Sequence, residues 1–335
     1  MKHNINHYRE IIVFTILIIL LSATFLLGKA FLNRVRISLT FIILILSSCG
    51  PSSKPQHDLN QYQFKETRDL VGFVNEAAEL FSVKGRNAFI EFGKEGGKWF
   101  SGKRYIFMYD LNGVCIFHPV LKEAVGYNLM DLKDMNGKPI NKFIQLIASN
   151  TKKPYGWIHY LWAEPGEIFP SWKNAYVMGV RGPDGKTYAI GSGTYNIRTE
   201  IQFVVDIVDS AASLIRKQGK EAYNHLLDKA SIFYFYNTYV FVLSVKGKLL
   251  ADPAFLTNLG RNVIDFKDYN GQMIVRELLD RLKKEDIAHI SYMWPAPGQV
   301  NPSKKMIYAR KVLSGNDTVI VGSSLYLTDP IWEKF

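Results

Sequence analysis

The fold is decided by the stretch YIFMYDLNG at residues 105–113, which returns 134 positions later as YVFVLSVKG at residues 239–247. The same offset pairs Pro119 with Pro253, and with small shifts the correspondence continues to the last predicted strand of each copy. So many ordered matches with so few shifts indicate a duplication. Because the period is as long as a small domain, we interpret the chain as two tandem copies of one folded unit and not as a solenoid.

Both copies show the same order of predicted elements. A long amphipathic helix comes first, a short helix and two strands follow, and a further helix and three strands complete the unit. The predicted long helices are Lys65–Ser82 and Ile201–Lys217, the later helices are Ile140–Ser149 and Met273–Lys283, and the last strands of the first copy are Gly156–Ala163, Ala175–Arg181 and Thr187–Tyr195. Consecutive strands joined by short turns predict an antiparallel sheet with helices beside it, which is an α+β fold.

A set of residues that is specific in combination accompanies this order. In the first copy the set is Tyr105, Tyr109-Asp110, Gly113, His118-Pro119, Gly126, Asn128, Asp131, Asp134, Gly137, Tyr160, Trp162, Pro165-Gly166, Lys173, Tyr176, Gly191, Gly193 and Tyr195. The pattern resembles the Cache domain, the extracellular sensor module of bacterial chemoreceptors and kinases, in its single-Cache subtype. The resemblance implies two tandem PAS-like domains, each an antiparallel sheet with a long N-terminal helix and flanking helices. It also implies a pocket on the sheet for a small molecule, often a short carboxylate.

The chain divides into four predicted parts. Residues 1–49 are expected to target the chain to a membrane, and residues 50–63, which are rich in Pro, Ser, Gln and Asn, are expected to form a polar tether. Residues 64–197 and residues 198–335 are the first and second Cache-like domains.

Two apolar runs open the chain, Ile11–Leu27 and Ile37–Leu46. Basic residues precede the second run and Ser47-Ser48-Cys49 follows it, which is the order of a secretory signal. The Leu-Ser-Ser-Cys ending resembles the bacterial lipobox, and this resemblance implies a lipid on Cys49 and a periplasm-facing body held at the membrane. Two alternatives stay open. One is an anchor of one or two apolar helices in which Cys49 is incidental. The other is translation from a start near Leu32 or Val35, which would omit the first run.

The composition argues against several classes of protein. Of the net charge of +11, part precedes Cys49, and the remaining 36 basic and 29 acidic side chains form no run typical of nucleic-acid binding. The two cysteines, Cys49 and Cys115, exclude a disulfide framework, and the apolar alternation around Cys115 predicts a buried strand thiol. We find no zinc-ligand spacing, serine elbow or phosphate-binding loop in the sequence, so we expect no enzyme and no cofactor or metal site.

The later strands supply the candidate ligand-binding residues of the first copy. Tyr160 and Trp162 are two positions apart on one strand, so their side chains share a face. Lys173, predicted to stand just before the next strand, brings a cation to that face, and aromatic walls with one cation form a cup for a small carboxylate. The complete predicted set is Lys173, Trp162, Tyr160, His118, Tyr105 and Tyr176. A structural role is the competing interpretation for single members, since Trp162 and Tyr105 are typical of a core and His118 is equally typical of a turn.

The equivalent residues of the second copy are Lys305, Trp294, Tyr292, Asp252, Tyr239 and Tyr308. Asp252 stands where the first copy has His118, and a carboxylate at that position would repel an anion. We therefore expect the first copy to bind the ligand and the second copy to bind something else or to serve as a structural partner.

Together these features predict a small-ligand-binding lipoprotein of the bacterial envelope, a sensor or capture subunit for a short organic acid. Only eight residues follow Leu327, so we expect no output module in the chain and a partner among envelope signalling or transport proteins. The alternative from another class is a structural or interaction lipoprotein whose Cache domains are closed by their own side chains.

Overall fold

The structure is a computed structural model that describes residues 58–327. The predicted lipidation site Cys49, both apolar runs and most of the predicted tether lie outside the described residues. Among the helices between residues 58 and 327, none combines the length and the apolar character needed to span a bilayer.

The first copy has three helices and six strands in the described part of the chain. They are α1 (Lys65–Lys84), α2 (Ala88–Phe92), β1 (Phe100–Ser101), β2 (Arg104–Asp110), β3 (Cys115–Phe117), α3 (Ile140–Ala148), β4 (Tyr155–Ala163), β5 (Pro170–Arg181) and β6 (Thr187–Tyr195). The predicted bounds of β6 agree with the structure, and the predicted helices end within two residues of the observed ones. Strand β5 differs, because it begins at Pro170 and pairs with β4 from there, whereas the sequence predicted a start at Ala175.

The second copy repeats this order. Its elements are α4 (Ile201–Gln218), α5 (Ala222–Leu227), β7 (Tyr234–Phe235), β8 (Thr238–Ser244), β9 (Leu249–Ala251), α6 (Ile274–Lys284), β10 (Ile287–Pro295), β11 (Pro302–Ser314) and β12 (Asp317–Tyr326). Each copy forms a six-stranded antiparallel sheet. The strand orders are β1-β2-β6-β5-β4 and β7-β8-β12-β11-β10, with β3 paired to β2 and β9 paired to β8. The prediction of an α+β fold with two tandem antiparallel-sheet domains is confirmed.

The two faces of each sheet have different covers. The long helices α1 and α4 pack on one face, and their buried side chains join those of both sheets in a single apolar cluster. Helices α3 and α6 cover part of the opposite face, where each copy has a smaller cluster of its own. The cavities of the molecule that concern ligand binding lie on this second side.

Glycines end both long helices at equivalent positions. Gly85 and Gly219 have φ angles of 56° and 61°, a region that L-residues with side chains rarely adopt. Their N–H groups donate to the carbonyl oxygens of Phe81 and Ile215, which satisfies acceptors that the last helical turn leaves open. The chain thereby passes from the long helix to the short one in the same way in both copies.

A buried lysine joins the two copies. Lys138 is 1% exposed, and its Nζ donates to the carbonyl oxygen of His159 on β4 over 2.6 Å and to that of Tyr234 on β7 over 2.9 Å. Beside this contact, the Phe235 ring stacks on the His159 ring with 4.0 Å between centroids. The short β7–β8 hairpin of the second copy is therefore fastened to the sheet of the first.

Candidate ligand-binding cavities

A small cavity lies between the first sheet and helix α3. Its volume is about 20 Å³, which is room for roughly one water molecule. Four predicted residues line it, together with five that the prediction did not include. The predicted four are His118, Tyr160, Trp162 and Lys173, and the other five are Phe107, Tyr109, Leu132, Ile140 and Ile144.

Lys173 is already engaged by aromatic residues of its own domain. Its Nζ donates to Tyr105 Oη over 2.7 Å and lies 4.3 Å and 5.2 Å from the ring centroids of Tyr105 and Tyr195. The side chain is 1% exposed, and burial lowers the pKa of Lys173 to about 7. The phenol of Tyr105 thus takes the place that a ligand oxygen would need.

His118 has the turn-stabilising role that competed with ligand binding. Its Nδ1 accepts a hydrogen bond from the backbone N–H of Leu121 over 2.9 Å. Burial, and then the neighbouring charge of Lys173, lower the pKa of His118 to about 3, so the ring is neutral near pH 7. A neutral ring with an accepting Nδ1 carries its proton on Nε2, and that N–H is the one donor His118 can offer to the cavity.

The equivalent cavity of the second copy is much larger. Its volume is about 110 Å³, enough for a molecule of several non-hydrogen atoms. Five predicted residues line it, namely Tyr239, Asp252, Tyr292, Trp294 and Lys305. The rest of the lining is mainly apolar and includes Leu249, Phe255, Phe266, Leu278 and Ile307, with Asn258 and Ser324 as polar exceptions.

Lys305 is buried without a polar partner among the described residues. It is 4% exposed, and its Nζ forms no hydrogen bond or ion pair with any residue between 58 and 327. The rings of Tyr326 and Tyr239 lie 4.6 Å and 5.7 Å from Nζ. Burial lowers the pKa of Lys305 to about 8, and the charge of Asp252 opposes that shift. The donors of this ammonium group are open to whatever occupies the cavity.

Asp252 has the position of His118 in the second copy, and it also stabilises the turn that follows. Its Oδ1 accepts the backbone N–H groups of Ala254 over 2.8 Å and Phe255 over 3.0 Å. The residue is 7% exposed, and burial raises its pKa to about 6, against the effect of these two hydrogen bonds and of Lys305. At pH 7 the second cavity therefore contains a carboxylate where the first contains a neutral imidazole.

Tyr176 and Tyr308 do not reach the cavities, which corrects the predicted set. Three positions separate each tyrosine from the lysine of its own strand, and side chains three positions apart on a strand point to opposite faces. Both rings lie in the cluster under the long helices. The prediction placed Lys173 before β5, and the structure places it inside that strand, so the alternation applies to it.

One pair of equivalent residues makes the strand beside the lysine different in the two copies. Gly193 on β6 pairs with Ala175 on β5, and Ser324 on β12 pairs with Ile307 on β11. A Cβ atom at Gly193 would stand 2.6 Å from Lys173 Cε, so glycine is what leaves room for the lysine stem against β6. The second copy has a side chain at this position, and Ser324 lines its open cavity.

Some of the lining residues that the prediction missed could have been found from the sequence. Phe107 and Tyr109 follow Tyr105 on β2 at steps of two, so strand alternation alone places them on its face. Leu132 and Ile140 come from a loop and from the start of α3, and no local pattern assigns them to the cavity.

The chain matches a known protein family and is similar to several solved structures. A family model described as Cache domain matches residues 99–200 and again residues 186–330, and together these segments span more than half of the chain. Among solved structures, the chain is similar to a periplasmic sensor domain of a chemotaxis protein, at 20% identity over 37% of this chain and 92% of that chain, with a TM-score of 0.32. It is also similar to a Cache chemosensory domain described for carboxylic acid recognition, at 24% identity over 43% of this chain and 100% of that chain, with a TM-score of 0.33. A third is the ligand-binding domain of a Pseudomonas fluorescens chemoreceptor in complex with L-isoleucine, at 9% identity over 79% of this chain and 86% of that chain, with a TM-score of 0.28.

Proposed function

The chain belongs to the Cache domain family, and from this premise we propose that it is an extracytoplasmic small-ligand-binding protein, a sensor or capture subunit for a short organic acid. The ligand sits in the second copy, although the sequence alone favoured the first. The second cavity has the larger volume and the open cation, and both properties are needed to take up a small anion.

One observation carries the proposal: the ammonium group of Lys305 has no hydrogen-bonding partner between residues 58 and 327. This side chain is 4% exposed and lines the cavity, so its ammonium group can donate a charge-assisted hydrogen bond to a ligand carboxylate there. Tyr292 and Trp294 line the same cavity and exclude water from that contact. Selectivity for a carboxylate over a neutral molecule follows from the same pairing.

The first copy favours the alternative function, that of a closed structural domain. Its cavity has room for about one water molecule. Lys173 Nζ, which a ligand carboxylate would need, already donates a hydrogen bond to Tyr105. In our proposal this copy is the structural partner to which the binding copy is fastened through Lys138.

The location and the partners follow from the amino terminus and the family. We propose that residues 1–49 attach the chain to the membrane, through a lipid on Cys49 or an apolar helix, and that residues 50–63 act as a tether. Residues 64–197 and 198–335 are the two proposed domains. An envelope signalling or transport protein is the proposed partner, and neither catalysis nor nucleic-acid binding forms part of the proposal.

A thermal-shift screen of short carboxylates against the full-length protein in mild detergent tests this function. A ligand present at 100 times its Kd should stabilise the folded state by about 2.7 kcal/mol and raise the Tm by several degrees. Lys305→Met should abolish the response while keeping the fold, because methionine fills the same volume without a charge. The control is Lys246→Met, a change in the exposed β8–β9 turn, which should respond like the wild type.

The screen separates the two functions. A flat response of the wild type across all carboxylates supports the closed structural protein and ends the binding proposal. A response that Lys305→Met retains in full would move the site away from the second cavity.

A further inference from the structure

The turn of the β7–β8 hairpin contains a residue with a strained backbone. Tyr236 has a φ of 49°, a left-handed conformation that costs free energy for a residue with a side chain. The repeat places Gly102 at the equivalent position of the first copy, where φ is 57° and glycine adopts the same conformation without strain. The second copy thus has a tyrosine where the backbone favours glycine, which indicates that the tyrosine side chain has a role.

The Tyr236 side chain contacts the first copy. Its Oη accepts a hydrogen bond from Asn174 Nδ2 over 2.8 Å, and its ring centroid lies 4.9 Å from that of Trp172. Both partners belong to β5, and they flank Lys173, the lysine of the first cavity. The turn of the hairpin is therefore held against the strand that carries this lysine.

The same hairpin also borders the second cavity. Tyr234 on β7 pairs with Tyr239 on β8, and their rings stack with 6.1 Å between centroids. Tyr239 lines the second cavity, and its ring centroid lies 5.7 Å from Lys305 Nζ. One short hairpin thus contacts both the first copy and the buried ammonium group of the second.

The first copy shows a different arrangement of the equivalent tyrosine. Its hairpin turns at Gly102, which has no side chain that could reach the other copy, and Tyr105 Oη lies 2.7 Å from Lys173 Nζ as its hydrogen-bond acceptor. Tyr239 forms no such bond with Lys305. The hairpin that is held from outside is therefore the one whose tyrosine stays away from its lysine.

We propose that Tyr236 is a positioning residue for the second cavity: its contact with the first copy holds the β7–β8 hairpin in place and keeps Tyr239 from closing on Lys305. This role rests on the proposed function, because it concerns access to the ammonium group that the ligand would need. The first copy then controls a site to which it contributes no lining residue.

Tyr236→Gly separates this role from a simple contribution to the fold. Glycine retains the left-handed turn without strain, as Gly102 does, and only the contact with the first copy is lost. Tyr239 can then approach Lys305, and a site that is mostly closed binds its ligand more weakly in proportion to the closed fraction. In calorimetry on the full-length protein in mild detergent, we expect propanoate to bind about 10-fold more weakly than to the wild type.

Three further variants make the test specific. Tyr236→Phe keeps the ring contact with Trp172 and should lose less affinity than Tyr236→Gly. Adding Tyr239→Phe to Tyr236→Gly removes the hydroxyl group that would occupy Lys305, so it should restore most of the propanoate binding. The matched control is Asn196→Gly, because Asn196 also has a positive φ, of 52°, but is exposed and outside the hairpin, and it should bind propanoate like the wild type.

A second measurement needs no ligand. Tyrosine labelled with carbon-13 at Cζ reports by NMR on the hydrogen bonding of its hydroxyl group, and the Tyr239 signal is the one that Tyr239→Phe removes. We expect this signal to shift in Tyr236→Gly and to stay at the wild-type position in Asn196→Gly.

The two measurements distinguish the positioning role from the function on which it rests. If Tyr236→Gly binds propanoate like the wild type, or loses affinity that Tyr239→Phe does not restore, the positioning role is wrong and the ligand site stands. If propanoate binds neither wild type nor variants while the Tyr239 signal still shifts in Tyr236→Gly, the positioning role is supported and the proposed function fails for this acid. An unshifted signal without any propanoate binding would count against both.

Discussion

The two cavities occupy equivalent places on equivalent sheets, yet the protein has closed one and left the other open. In both, a lysine is buried among aromatic rings, Lys173 on β5 and Lys305 on β11. Lys173 donates to Tyr105, whereas Lys305 has ring contacts but no hydrogen-bonding partner between residues 58 and 327. The same buried cation thus serves as an internal contact in one copy and as a free donor in the other. Duplication allows this division, because one copy can provide the stable frame while the other keeps a donor available to a ligand.

The local electrostatics follow the same division. The first cavity pairs its lysine with a neutral imidazole, and the second pairs it with a carboxylate. A single substitution, His118 in one copy and Asp252 in the other, changes which ligands each cavity would tolerate. The comparison therefore separates two properties, the space in a cavity and the charge that lines it.

The largest expected effect concerns the contact that fastens the copies together. Lys138 and Gln272 hold equivalent places, and the Gln272 side chain donates to the Ser291 carbonyl as Lys138 donates to the carbonyl of His159. Only Lys138 also reaches Tyr234 of the other copy. Lys138→Ala should lower the free energy of unfolding in urea by about 3 kcal/mol, because two buried carbonyl groups lose a donor at about 1–3 kcal/mol each.

Lys138→Gln is the matched comparison. It keeps the contact that Gln272 makes in its own copy and loses only the one between copies, so we expect a loss of about 1 kcal/mol. If the alanine and glutamine variants lose the same stability, the contact between the copies does not contribute in the way the geometry indicates.

The next effect is a pH dependence that comes from the closed cavity. Burial lowers the pKa of Lys173 from 10.5 to about 7 in the folded state. Between these values the unfolded chain binds more protons than the folded one, so stability rises with pH across this window. The free energy of unfolding of the wild type should therefore rise by about 2 kcal/mol more than that of Lys173→Met between pH 7 and pH 9.

Urea midpoints measured along this pH range supply the test, with Lys305→Met as the comparison from the open cavity. Its pKa is lowered less, to about 8, so removing Lys305 should flatten the pH profile less than removing Lys173 does. Parallel profiles for the wild type and Lys173→Met would show that the first lysine is not desolvated as the closed cavity requires.

The features that the sequence predicts well are those set by neighbouring residues. The long helices and strand β6 follow from the periodicity of apolar residues, and the repeat relates the two copies position by position. The shared face of Tyr160 and Trp162 follows from strand alternation. Both line the first cavity as expected.

The features that the sequence does not predict depend on contacts between distant residues. Gly193 and Lys173 meet only because β5 and β6 pair in one register, and the space left at Gly193 determines whether the lysine can lie against the strand. The start of β5 at Pro170 is another such feature. Because Lys173 and Tyr176 both lie within this strand, three positions apart, their side chains point to opposite faces of the sheet, whereas the prediction placed both at one site. The choice of the first copy as the binding copy rests on the charge of Asp252 and on the second copy's further departures from the family pattern. The space in each cavity has no signature in the sequence.

We expect the smallest change in stability from Gly193→Ser, which also tests most directly why the two cavities differ. Gly193→Ser gives the first copy the residue that the second has at Ser324, and its Cβ would displace the stem of Lys173 from β6. Overpacking of this kind should cost about 1 kcal/mol, at the low end because the displaced atoms belong to a flexible side chain. Lys173 would then leave Tyr105, but the first cavity would still have room for only about one water molecule. With the second site disabled by Lys305→Met, addition of Gly193→Ser should therefore not restore a thermal-shift response to short carboxylates, because binding needs the space as well as the open cation. A response restored in the double variant would show that the residue facing the lysine alone decides between the two cavities.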